Sequence, residues 1–246
     1  MKYRGGVRPS CPILELENVD LTLSKERILQ GISLKIKPKV TSAIIGHIGS
    51  GKHQIVDLAM RICEIDPGFS KIRTVGGINP ESYDSIELRK NIVYLSEFPV
   101  LFSGTLKENI DPKLEYGDDK LVEAAQIIGI LGKQTTEQER RPDPKGFRKR
   151  NSTVLLLEKR KIDKIQFLEN LDTKLSSHGN IPLRFKRIIK ILRLILRRPT
   201  VAYIDQNALE IEDFTSLELF LKLQKFMPET TFVIILSNYK DICSFK

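Results

Sequence analysis

The run Gly46-His47-Ile48-Gly49-Ser50-Gly51-Lys52-His53 constrains this chain more than any other stretch. It follows Val40-Thr41-Ser42-Ala43-Ile44-Ile45, an apolar run that reads as a buried strand. It precedes residues 54–63, whose apolar side chains recur at helical spacing. Strand, glycine-rich loop and helix, in that order, make a phosphate cradle. The glycines let the backbone wrap an anion closely, and the N–H groups at the helix start point at it. Lys52 adds positive charge toward the outer phosphates. The eighth position of such a loop is ordinarily Ser or Thr, whose hydroxyl holds Mg2+, whereas this chain has His53. The plain alternative is a Gly-Ser turn with a solvated lysine. Three glycines and a lysine in this register after a strand favour the cradle. A nucleotide-binding fold is therefore expected, and occupancy of the cradle is a separate expectation.

Composition narrows the class. At 246 residues, 41% hydrophobic and 29% charged, the chain is long enough for one large or two small globular domains. Aromatics are sparse and Trp is absent, which disfavours base-stacking platforms and nucleic acid as a partner. Cys11, Cys63 and Cys243 are scattered, without zinc spacing or a disulfide framework, so a reducing compartment fits best. No apolar run approaches the roughly 18–20 residues of a membrane span, and residues 1–12 read as a leader without the apolar core of a secretion signal. A cytoplasmic protein is expected, at the cytosolic face of a membrane only through a partner. The net charge of +9 is concentrated in two places, a basic run and a basic helix.

Residues 13–23 read as an edge-type strand, with Leu14, Leu16 and Val19 set among Glu15, Glu17 and Asp20. Residues 28–36 form a second strand in which Ile32, Leu34 and Ile36 alternate with Ser33, Lys35 and Lys37. Asp66-Pro67-Gly68 and Gly76-Gly77 mark turns around a short strand at 71–75, and residues 85–90 a short helix.

Asn91-Ile92-Val93-Tyr94-Leu95-Ser96-Glu97-Phe98-Pro99-Val100-Leu101-Phe102-Ser103-Gly104-Thr105-Leu106-Lys107-Glu108-Asn109-Ile110-Asp111-Pro112 resembles the Q-loop region of an ATP-binding cassette, in particular that of the C subfamily of ABC transporters. The resemblance extends over about residues 13–238. It implies an α/β fold: a mixed or parallel sheet core, an antiparallel β subdomain, and a helical subdomain at about 97–185. It also implies ATP and Mg2+ as cofactors, with ATP at Gly46, His47, Ile48, Gly49, Ser50, Gly51, Lys52 and His53. The implied partner is another cassette or a transporter membrane domain.

Position by position, the chain departs from the family pattern. The adenine-stacking aromatic matches Leu23, and the Q-loop glutamine matches Glu97, a carboxylate that could still face Mg2+. Residues 121–131 read as a helix of the helical subdomain. Residues 133–161 read as an insertion, whose run from Arg140 to Arg150 is a solvated surface loop or a patch for an acidic or anionic partner. A naive scan places the signature sequence at Leu175-Ser176-Ser177-His178-Gly179. Counting back from the later aspartate strand places it at Ile181-Pro182-Leu183-Arg184-Phe185, which leaves the following helix, residues 186–198, without a gap. In that register Pro182 replaces a serine and Arg184 a glycine. The helix is basic and amphipathic, and a packed core element is preferred over a membrane-surface or calmodulin-binding one. Val201-Ala202-Tyr203-Ile204-Asp205 matches the Walker B strand, with Asp205 at the Mg2+ position. Gln206 stands at the catalytic glutamate and Asn238 at the switch histidine, beyond a last strand at 231–236. The family's closing strands and helices read as missing, so the C-terminal end reads as shortened.

The phosphate cradle and Asp205 remain, while the metal hydroxyl, general base, signature residues and switch histidine are replaced. The leading expectation is a degenerate cassette that binds ATP weakly and serves a regulatory or structural role in a cassette pair. A working transporter ATPase and an interaction protein on a cassette scaffold are the alternatives. An unrelated P-loop kinase or GTPase fits residues 102–112 less well.

Overall fold

The computed structural model describes residues 13–68, 71–75, 84–129, 171–175, 181–211 and 215–238. The leader at 1–12, the Gly76-Gly77 turn, the insertion with its Arg140 to Arg150 run, and Ser176 to Gly179 of the naive signature scan lie outside the described residues. The chain divides into two compact units, Val100–Ile181 and the remainder.

The larger unit carries two sheets. In the first, β1 (Leu14–Leu23) lies between β2 (Glu26–Ile36) and β4 (Lys71–Val75), antiparallel to both. The edge-type reading of this strand is thereby corrected. Its charged residues mark an exposed face, not an exposed edge: Leu14, Leu16, Val19 and Leu21 are buried, while Glu15 pairs with Lys35 at 3.1 Å on the other side.

The second sheet is parallel, in the order β3 (Ser42–Ile45), β9 (Thr231–Leu236), β8 (Val201–Asp205), β5 (Ile92–Leu95). Every residue of β8 and β9 is buried, which is why both strands are near-continuous apolar runs. Burying Phe232, Val233, Ile234, Ile235 and Leu236 contributes roughly 8–15 kcal/mol of gross hydrophobic free energy, an upper bound against an extended chain. β3, expected to be buried, is an edge strand with Ala43 and Ile45 exposed. Among the described residues it pairs only with β9.

Helix α1 (Lys52–Ala59) starts two residues before the expected position and buries Ile55, Val56, Leu58 and Ala59. These side chains join one cluster that reaches both sheets, including Leu14, Leu21 and Leu29 from the first and Ile44, Tyr203 and Val233 from the second. Helix α2 (Ser85–Lys90) precedes β5. The basic helix, α5 (Leu183–Arg197), buries Ile188, Ile189, Ile191, Leu192, Leu194 and Ile195, so its apolar stripe faces the protein interior, as a core element requires. A capping box between Thr215 and Glu218 starts α6 (Ser216–Phe226), and Phe220 packs edge-on against Phe232 of β9 at 5.4 Å.

The smaller unit contains a short ladder of β6 (Gly104–Thr105) and β7 (Lys174–Leu175), with α3 (Leu106–Ile110) and α4 (Asp118–Ile127). Its Glu108-Asn109-Ile110-Asp111 run is a folding device. Glu108 completes a capping box with Thr105. Asn109, fully buried, accepts from the Phe102 N–H and donates to the carbonyls of Phe102 and Thr105. Asp111 accepts from the Tyr116 N–H at 2.7 Å.

Candidate functional site

The glycine loop begins where the parallel sheet ends. The Gly46 N–H donates to the carbonyl of Leu236, the last residue of β9, at 3.2 Å. Gly49 and Gly51 both have positive φ, +83° and +81°, a region that a side chain disfavours. At Gly51 a Cβ would also meet Leu29 Cδ2 at 2.8 Å and Ile28 Cγ2 at 2.9 Å, so any side chain there would have to push these β2 residues aside. Gly51 caps α1, which has neither a capping side chain nor an acidic residue in its first turn. The amide end of the helix therefore keeps its partial positive charge for an anion. Lys52 is buried to 5% exposure, and its Nζ donates to the carbonyls of Gly46 (3.0 Å) and His47 (3.1 Å). The ammonium thus braces the loop that it would help to charge.

One residue on, the His53 imidazole meets β5 and β8. Its Nδ1 lies 3.1 Å from the Tyr94 hydroxyl and 3.6 Å from Asp205 Oδ1. The Tyr94 hydroxyl donates to Asp205 Oδ2 at 2.8 Å, and the Glu97 N–H donates to the same oxygen at 3.4 Å. A phenol has one proton, and Tyr94 directs it to Asp205, so the ring nitrogen facing it is the donor. Burial, reinforced by Asp205, pushes the Tyr94 phenol far above its usual range, so it stays neutral and keeps its proton. Burial likewise raises the Asp57 carboxyl one turn along α1, with His53 opposing the shift.

Glu97 and Gln206 are also engaged, whereas Pro182 and Leu23 make no side-chain hydrogen bond. Glu97 Oε1 accepts from Asn207 Nδ2 at 2.9 Å. Gln206 Oε1 accepts from the Ser237 N–H at 3.1 Å, which ties the end of β8 to the residue before Asn238. Arg187, 9% exposed, donates to the carbonyls of Glu210 (2.8 Å) and Glu97 (3.5 Å). Pro182 caps α5 without a side-chain hydrogen bond, and the Arg184 guanidinium lies 4.7 Å over the Phe185 ring. Leu23, at the end of β1, is exposed.

Comparison with known proteins places this geometry. ABC transporter C family member 3 of Dictyostelium discoideum is 43% identical over 214 residues, 86% of this chain and 12% of that protein. The chain belongs to the ATP-binding cassette family. ATP-binding cassette transporter abc1 of Schizosaccharomyces pombe is 28% identical over 92% of this chain and 14% of its own length. A solved bacterial Atm1-family ABC exporter with ATP bound matches the fold with a TM-score of 0.71 at 18% identity, covering 98% of this chain and 37% of that one. No family model matches the chain. The chain thus spans 12–14% of the length of these two transporters, and no helix among the described residues is long and apolar enough to cross a membrane.

Sequence reading missed Tyr94 and Asn207. The signal for Tyr94 was present. A phenol in the otherwise apolar strand Ile92-Val93-Tyr94-Leu95 implies a polar partner across the sheet, and β5 pairs with the Asp205 strand. Nothing in the sequence marked Asn207 as the partner of Glu97.

Proposed function

We propose that this cassette binds nucleotide through Gly46 to His53 without sustaining hydrolysis, as the silent half of a pair with another cassette or with a transporter membrane domain. The observation that carries the reading is Gln206. It stands where the attacking water needs a base, and its carboxamide oxygen is already engaged by the Ser237 N–H. A carboxamide accepts no proton at any working pH, and losing a positioned base costs roughly 10²–10⁴-fold in rate. Pro182 offers no hydroxyl at the start of α5, and Arg184 brings a bulky side chain where a partner's phosphate would approach. In a head-to-tail pair these substitutions would impair both composite sites. The retained glycine geometry and the buried Lys52 support phosphate binding.

The test is steady-state ATP hydrolysis by the purified chain, by Gln206→Glu and by Lys52→Ala. All three are expected at the same background rate, because restoring one carboxylate leaves the other positions broken. Turnover of Gln206→Glu tenfold or more above Lys52→Ala would sink the reading.

A further inference from the structure

The cassette family implies Mg2+ beside Asp205, and the side chains present do not fit it. Mg2+ demands near-octahedral oxygen coordination at about 2.0–2.1 Å, and imidazole nitrogen suits other metals. The hydroxyl expected at the end of the loop is the His53 ring. Between that ring and Asp205 stands the Tyr94 phenol oxygen, 3.1 Å from Nδ1 and 2.8 Å from Oδ2, its proton committed to the carboxylate. Asp205 Oδ2 accepts a second bond from the Glu97 N–H, and the Glu97 carboxylate is itself held by Asn207. The hydrogen-bonded relay from His53 through Tyr94 to Asp205 therefore fills the place of the metal with protein.

We propose that this loop takes its nucleoside triphosphate free of divalent cation. The inference rests on the reading that Gly46 to His53 binds nucleotide. The phosphates are held by the loop N–H groups, the amide end of α1 and Lys52, and a metal-bound nucleotide must shed its cation to enter. Divalent cation then competes with the protein for ATP instead of bridging the two.

Titration calorimetry of ATP into the full chain, once with EDTA and once with excess MgCl2, tests this. The expected affinity in EDTA equals or exceeds that in MgCl2. A tenfold or greater loss in EDTA, with binding intact in MgCl2, overturns the metal-free site while leaving nucleotide binding standing. No binding in either buffer overturns nucleotide binding by the loop, and the inference with it. The variant His53→Ser with Tyr94→Phe empties the relay and is expected to make ATP affinity rise at least tenfold on adding MgCl2. His53→Ser alone, which keeps the Tyr94–Asp205 bond, serves if the double variant does not fold, with a smaller gain expected. Metal independence that persists in a folded variant shows that the relay is not its cause and refutes the proposal.

Discussion

Gly51→Ala is the sharpest probe of the loop, because its cost has two separable parts. The first is backbone: φ of +81° is the left-handed region, which costs a residue with a Cβ about 1–2 kcal/mol. The second is steric. The new Cβ would sit 2.8 Å from Leu29 Cδ2, 2.9 Å from Ile28 Cγ2 and 3.1 Å from the Ile28 carbonyl oxygen. Leu29 is 3% exposed, and the partly buried Ile28 packs against the same cluster, so relieving the contact requires these packed side chains to shift. Overpacking of this kind costs about 1–3 kcal/mol. Gly51→Ala should therefore destabilise by about 2–5 kcal/mol, or roughly 4–20 °C in melting temperature at about 2–4 °C per kcal/mol for a chain of this size. Gly49→Ala is the internal control. Its φ is +83°, but among the described residues nothing lies within 4 Å of the added Cβ. It should lose the backbone part alone, about 1–2 kcal/mol. Urea unfolding followed by far-ultraviolet circular dichroism measures both. Equal losses for the two variants would refute the argument that the loop is clamped against β2.

Two further outcomes follow from buried groups. The Tyr203 hydroxyl is fully buried and has no hydrogen-bond partner among the described residues, so Tyr203→Phe should raise the urea midpoint by the equivalent of about 1 kcal/mol. A loss of that size would mean the hydroxyl has a partner. The Asp57 carboxyl is held above its ordinary value of 3.8, chiefly by burial, so the folded state binds its proton more tightly than the unfolded state does. Its contribution to stability is lost as pH rises from that value through the raised one. Asp57→Asn should therefore melt higher than wild type at pH 7, with the gap closing below pH 3.8. A gap of equal size at both pH values would contradict the assignment.

The elements legible from sequence were those whose surroundings are uniform. β8 and β9 are covered on both faces, so an unbroken apolar run is their whole signature. β1 was misplaced because alternation reports which face is wet and says little about how many neighbours a strand has, and β3 because a short apolar run does not show whether both of its edges are paired. The basic helix starts at Leu183, three residues before its apolar periodicity becomes evident, because Pro182 supplies the entry angle without a recognisable capping side chain. At the site, the loop and Asp205 were visible as motif residues. The Tyr94 link was not, because it depends on the register that sets Tyr94 opposite Tyr203 and brings its hydroxyl to the end of β8. His53, read from sequence as a lost hydroxyl, thus joins Tyr94 and the retained Asp205 in one hydrogen-bonded relay.

Arg187 has a mechanical consequence. From one position on α5 it holds the carbonyl after β5, at Glu97, and the carbonyl after the turn that follows β8, at Glu210. A guanidinium stays charged across the working pH range and offers five donors in a rigid fork, so acid does not loosen this grip. The segments that follow β5 and β8 are thus tied to α5 through one side chain. Bracing of this kind opposes displacement of one segment without the other, whether or not a nucleotide is turned over.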